Sequence, residues 1–230
     1  MEIIRDKLAQ NVLEKNQLWI KPILEEFSDS HFLVWWTAIA LQIWHRKSID
    51  FDLFCLWKQW TWKQIFERIK KTWLKFDPKK SNLLWLSDEE QPEVTIFVNW
   101  VKIQLLDFSR NPFDEKINLK LNKTICNWIQ SLDLLNLWAL KLYAMMYRSK
   151  RKDAVDLYFI LKSWYKLEEI LEKTESVFWK LYKSKYSLET IIENKRDMTE
   201  KVDYVIKNSP KEEEIKKYII DEADRLIEKI

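Results

Sequence analysis

The chain contains no glycine at all. Average usage near 7% places roughly 16 in a protein of this length. Glycine takes positive φ without steric penalty, so its absence removes the usual chemistry of tight turns and helix ends. The same 230 residues hold 14 tryptophans, normally a rare type. The simplest account is a UGA codon that the source organism reads as glycine and that has been translated as tryptophan; some uncultivated bacterial lineages use that code. Local context agrees. Asn99-Trp100 lies between two alternating apolar runs, EVTIFV and VKIQLL, where Asn-Gly is the strongest short hairpin signal. Trp35-Trp36 follows the apolar run HFLV and precedes a helical pattern, where a strand-to-helix turn wants glycine.

Other absences bound the class. Cys55 and Cys126 are the only cysteines, too few for a disulfide framework or a zinc spacing. No apolar run approaches the roughly 18–20 residues that span a bilayer. The N-terminal MEIIRDKLAQNVLEK alternates charge with apolar residues, unlike a signal peptide. A cytoplasmic protein without a membrane partner is expected. The net charge of +3 is too small to imply nucleic acid, and the one dense basic run, RSKRKD at 148–153, is of a kind that is usually just solvated.

What is present reads as an α/β (α+β) chain in two lobes, 1–110 and 111–230. In the first, the pattern predicts a helix over 3–27 interrupted at Pro22, a short strand at His31–Val34 and a helix from Thr37 to Ile43. A strand at Ile49–Phe54, a helix over 61–74 and a hairpin over 93–108 follow. Together they make a small mixed sheet covered on one face. After Pro112 the pattern is helical, over about 131–147, 153–164, 166–182, 187–194 and 199–207. A last helix is expected to open with Ser209 as N-cap, Pro210 at its first position and Glu212 closing a capping box. It carries Ile215, Ile219, Ala223, Leu226 and Ile230 on one stripe.

The stretch 34–54, VWWTAIALQIWHRKSIDFDLF, carries the chemistry. A glycine pair at 35–36 followed by Thr37 at a helix N-terminus offers backbone N–H groups and a hydroxyl to a phosphate. Asp50 and Asp52, two residues apart on a strand, project from one face. Two such carboxylates suit Mg²⁺ (or Mn²⁺), which bridges triphosphate oxygens. Aspartates among apolar strand residues are costly unless they bind something. His45 reads as a structural hydrogen-bonding residue, and Met145-Met146 as core. Lys141, taken alone in an apolar helix, reads as a side chain that snorkels to solvent.

With glycine restored, the GG-T … HR-x-S-I-D-x-D-L-F arrangement resembles the AbiEii family of the nucleotidyltransferase-fold superfamily. A second stretch, DLLNLWALKLYAMMYRSKRKDAVDLYFIL at 133–161, is similar to that family's C-terminal signature. The two motifs cover about 50 residues directly, in the family's order. The resemblance implies a nucleotidyltransferase-fold lobe followed by a helical lobe, and an enzyme that moves a nucleoside monophosphate from an NTP to an acceptor hydroxyl. It implies Asp50 and Asp52 as metal-binding and catalytic carboxylates. Trp35, Trp36 and Thr37 fall at phosphate-loop positions, Arg46 and Ser48 contact phosphate or brace that loop, and Lys141 and Asp153 complete the catalytic set. Asp156 shares the role of Asp153 or orients the basic turn. The family further implies an RNA or tRNA acceptor, with Arg148, Lys150, Arg151 and Lys152 facing its backbone, and a separately encoded antitoxin that restrains a growth-arresting toxin. A protein or small-molecule acceptor, and a non-catalytic binding module on the same fold, stay open. Where many relatives carry a third carboxylate this chain has Gln104, with Asp107 the nearest acid. As printed, the chain also sets two indoles where phosphate must meet bare backbone.

Overall fold

A computed structural model describes residues 9–55, 61–75, 93–107, 123–126, 129–147, 150–178, 182–193 and 200–229. They fall into two compact units, one of Met1–Glu115 with Lys123–Leu132 and one of Lys116–Asn122 with Asp133–Ile230.

The first unit is built on a six-stranded sheet of order β3-β4-β2-β1-β6-β5. Its strands are β1 (His31–Val34), β2 (Phe51–Cys55), β3 (Glu93–Val98), β4 (Val101–Asp107), β5 (Lys123–Cys126) and β6 (Ile129–Leu132). β2 runs antiparallel to β1 and parallel to β4. One face carries Leu33, Phe51, Leu53, Val94, Ile96, Ile103 and Leu105, all at most 3% exposed. Burying that apolar face is what specifies the register, since a one-residue slip would turn it to water. Helices α1 (Lys15–Leu18), α2 (Lys21–Phe27), α3 (Trp35–Ile43) and α4 (Trp62–Lys71) complete the unit. The helix expected over 3–27 is thus broken among the described residues, with Pro22 in the first turn of α2; there its missing N–H is no loss. α4 opens with a Thr61–Gln64 capping box.

The sequence pattern predicted only helices beyond residue 111, whereas 123–126 and 129–132 are strands. β5 pairs antiparallel with β6, and Leu33 of β1 pairs with Ser131 of β6. Four-residue strands leave too little period-2 signal to read, and pairing to a sheet overrides local preference.

The second unit is helical: α5 (Leu134–Met145), α6 (Arg151–Ser163), α7 (Leu167–Phe178), α8 (Ser184–Glu193) and α9 (Glu212–Ile227). Asp133 caps α5 by accepting from the Asn136 N–H at 2.8 Å. The expected helix over 199–207 is absent: 200–208 is irregular, with one bridge at Tyr204. The last helix starts later than expected. Its N-cap is Lys211, without a side-chain cap bond, so Ser209 and Pro210 lie outside it. Glu212, Glu213 and Glu214 instead occupy its first turn, where acids complement the helix dipole. Its expected stripe holds as far as Ile215, Ile219, Ala223 and Leu226, all buried; Ile230 lies outside the described residues.

Five described residues have positive φ, and four are tryptophan: Trp35 (55°), Trp44 (51°), Trp73 (60°) and Trp100 (68°), with Asn99 at 48°. Asn99 and Trp100 join β3 to β4, and two positive φ values define the type I′ turn that Asn-Gly makes. Trp44 ends α3 in the left-handed conformation, a position that glycine dominates. A bulky side chain there is a steric outlier.

Candidate active site

β1 ends at Val34, and the chain turns at once into α3. Val34 pairs with Asp52, so the 35–37 turn opens beside that aspartate. Asp52 is 1% exposed and sits within β2. Asp50 is half-buried and immediately precedes the strand, which starts at Phe51 rather than Ile49.

The segment between α3 and β2 is tied down from within. Thr37 is fully buried; its hydroxyl donates to the Asp50 main-chain carbonyl and lies 2.7 Å from the Ser48 hydroxyl. The Ser48 N–H donates to the Val12 carbonyl at 3.2 Å. Arg46 is also fully buried and donates to the Lys47 carbonyl at 2.9 Å. At the other end of α3, the Gln42 amide reaches the Leu132 carbonyl of β6 at 2.9 Å. Trp35, Trp36, Thr37, Arg46, Ser48, Asp50 and Asp52 therefore belong to one continuous stretch of the sheet unit. The Trp35 ring packs edge-on against Phe54, centroids 5.1 Å apart. Phe54 is two residues from Asp52 on β2, so the indole covers the same face.

Next along this face comes a polar row that the sequence reading did not assemble. Gln104 pairs with Asp52 on one side and Thr95 on the other. Its amide oxygen accepts from Lys102 at 2.7 Å, and its amide nitrogen donates to Glu93 at 2.6 Å. The alternation of EVTIFV would have placed Glu93 and Thr95 on one face, but only the register brings them to Gln104. Asp107 pairs with Cys55, three residues beyond the Asp52 level and hence about 10 Å along the strand.

Among the described residues no group of three or more His, Cys, Asp or Glu side chains is placed to hold a metal ion. Two carboxylates two residues apart, Asp50 just before β2 and Asp52 within it, still fit Mg²⁺, which keeps several waters and is commonly bound through one or two carboxylates plus substrate phosphates.

The other predicted residues lie in the helical unit. Lys141 of α5 does not snorkel: it is fully buried. Its ammonium sits 2.5 Å from Asp156 and 3.2 Å from Asp153, both on α6 and both fully buried. The Trp138 ring lies 5.5 Å away. A buried lysine held between two carboxylates joins α5 to α6 and is strongly committed to that pairing. The basic turn is partly neutralised. Lys152 pairs with Glu200 at 2.8 Å, and Arg151 reaches Glu212 at 3.9 Å. Lys150 is exposed, and Arg148 lies outside the described residues.

No family model matches the chain, and no curated protein does. Solved structures do. One, from Helicobacter pylori and described as a "putative nucleotidyltransferase", is 15% identical with a TM-score of 0.55, over 93% of this chain and 94% of that one. JHP933, also from H. pylori, is 15% identical with a TM-score of 0.53, over 94% of each chain. The mixed α/β architecture is thus similar in fold to these structures. No helix among the described residues is long and apolar enough to cross a membrane.

Proposed function

We propose that the chain is a metal-dependent nucleotidyltransferase of the AbiEii type, moving a nucleoside monophosphate from an NTP to a hydroxyl of RNA, tRNA foremost, as the cytoplasmic toxin of a pair with a separately encoded antitoxin. The observation that carries this reading is the pairing of Val34 with Asp52, which sets the strand-to-helix turn beside the two aspartates. In this reading Asp50 and Asp52 hold Mg²⁺ or Mn²⁺, which supplies positive charge to the triphosphate and its leaving pyrophosphate. The backbone N–H groups of the 35–37 turn, at the start of α3, receive phosphate oxygens. Lys141 and Asp153 serve from the helical unit, with Asp156 fixing the lysine.

We further propose that tryptophan stands for glycine in the natural protein at Trp35, Trp36, Trp44, Trp73 and Trp100. Positive φ at four of these five positions supports it. The same substitution uncovers the Asp52 face by removing the Trp35 ring. A protein made with tryptophan at 35 and 36 is expected to bind nucleotide poorly.

The test is label transfer. The chain with its 14 tryptophan codons specified as glycine is incubated with each α-labelled NTP, Mg²⁺ and total RNA, beside an Asp50→Asn, Asp52→Asn control. Label on tRNA that disappears in the control is the expected result. A folded protein that binds no NTP would overturn the enzyme reading and leave a binding module. The engagement of Arg151 and Lys152 by Glu212 and Glu200 favours a second reading, in which the acceptor is a protein or a small molecule; label then appears there and not on RNA.

A further inference from the structure

Thr37 has one hydroxyl proton. A hydroxyl offers a single donor and two acceptor positions. Thr37 donates to the Asp50 carbonyl, so the 2.7 Å contact with Ser48 must be filled by the Ser48 proton. The order is fixed: Ser48 donates to Thr37, and Thr37 donates to Asp50. Both side chains are buried, Thr37 at 0% and Ser48 at 6% exposed, and their protons are spent inside the protein. Nothing remains on Thr37 to give a phosphate oxygen unless this relay breaks.

The acceptor at the end of the relay matters as much as the donors. The Asp50 carbonyl belongs to the residue just before β2, and Asp52 is anchored within that strand by pairing to Val34 and Gln104. Asp50 lies just outside the strand ladder, and its carbonyl accepts the bond from Thr37, the third residue of α3. The first turn of α3 and the entry to β2 are thereby locked together at the point where one carboxylate leaves the sheet.

We infer that Thr37 and Ser48 are positioning residues, whose side chains form a hydroxyl relay that sets Asp50 against Asp52 for a divalent cation, and that neither hydroxyl is a phosphate ligand. This rests on the proposal that the two aspartates hold a metal. Partners that orient a ligating carboxylate typically change metal affinity by tenfold or more when removed. Thr37→Val keeps the shape of the side chain and deletes the relay; Thr37→Ser keeps both bonds.

Mn²⁺ binding to the full chain with its 14 tryptophan codons specified as glycine, followed by the electron paramagnetic resonance of the free ion, reads the effect. Thr37→Val is expected to weaken Mn²⁺ binding about tenfold and Ser48→Ala about threefold, with Thr37→Ser within twofold of the parent. Inorganic triphosphate binding in the presence of a chelator is measured beside it. Valine keeps the backbone N–H at 37, so this binding changes little beside the loss of Mn²⁺ if the hydroxyl only positions Asp50. It falls as far as Mn²⁺ binding does if the hydroxyl itself holds phosphate, which overturns the inference. Mn²⁺ binding by Thr37→Val equal to the parent, with Asp52→Asn inactive in binding, overturns the inference and leaves the metal site standing. A parent that binds no Mn²⁺ overturns both. If Thr37→Val does not fold, Ser48→Ala alone decides: parent-like Mn²⁺ affinity in that variant sinks the relay.

Discussion

Buried charge is handled in opposite ways by the two units. In the helical unit the Lys141 ammonium is shared by two carboxylates, Asp153 and Asp156. In the sheet unit Asp52 is just as buried, but the neighbouring Asp50 is only half-buried and the row beside Asp52 is built on the neutral Gln104. The lysine cluster specifies a packing of α5 on α6; the two acids of the sheet unit are, in the proposed function, the ones that meet an incoming cation. Substitutions therefore have opposite signatures in the two places. Lys141→Ala strands two buried carboxylates and is expected to cost about 3–5 kcal/mol. Asp52→Asn keeps shape and hydrogen-bonding capacity and is expected to cost at most about 1 kcal/mol while removing metal binding. Urea unfolding of the two variants checks this. A loss below 1 kcal/mol for Lys141→Ala would erase the distinction and make the lysine as available as the aspartates.

The second largest effect belongs to the sheet unit. His31 opens β1, is 2% exposed and contacts the Phe27 ring edge-on at 5.1 Å. Burial, and then the Arg68 charge, push its pKa down to about 4, against a smaller upward pull from Asp29. The folded protein keeps the imidazole neutral while the unfolded chain takes up a proton below about pH 6.5. The stability this group contributes is thus complete above pH 6.5 and lost as the pH falls through 4, a difference of about 3 kcal/mol. His31→Gln should flatten the stability profile between pH 6.5 and 4. An unchanged profile would show that some other group governs acid unfolding.

Next in size are the turns. Replacing Trp44, Trp73 or Trp100 with glycine relieves a left-handed conformation that costs a non-glycine residue about 1–2 kcal/mol. Each single change is expected to raise the melting temperature. These side chains are 37%, 93% and 79% exposed, so little packing is forfeited. A fall in melting temperature at all three positions would argue that tryptophan is native there.

The legibility of the chain follows the same divide. The Asn99-Trp100 hairpin could be read because alternation and turn chemistry are local. The hairpin came out at 93–98 and 101–107 because both signals agree there. β5 and β6 could not be read, since four-residue strands become strands only by pairing with β1 and with each other. Lys141 was legible as an outlier in an apolar helix, but its burial was not: its two partners lie 12 and 15 residues away on another helix. The Gln104–Glu93–Lys102 row was hidden for the same reason, being a product of register. Glu200 and Glu212, which engage Lys152 and Arg151, lie 48 and 61 residues from them in sequence.

The smallest effect separates the last two charges near β1. Asp29 accepts a forked pair of bonds from Arg68, at 2.8 and 2.6 Å. The hydrogen bond from that guanidinium holds the Asp29 carboxyl at about 2. The side chain is 64% exposed, so solvent screening leaves about 0.5 kcal/mol. The sign matches that of His31 but the window does not: the contribution is present above the ordinary aspartate range near 4 and is lost as the pH falls through 2. Asp29→Asn should therefore lower stability slightly at pH 7, with the loss shrinking in 1 M salt. It should also remove the Asp29 charge that raises His31, moving the His31 transition to lower pH. If that transition moves up instead, Asp29 is not acting on the histidine through its charge, and the acid sensitivity of the sheet unit rests on burial and Arg68 alone.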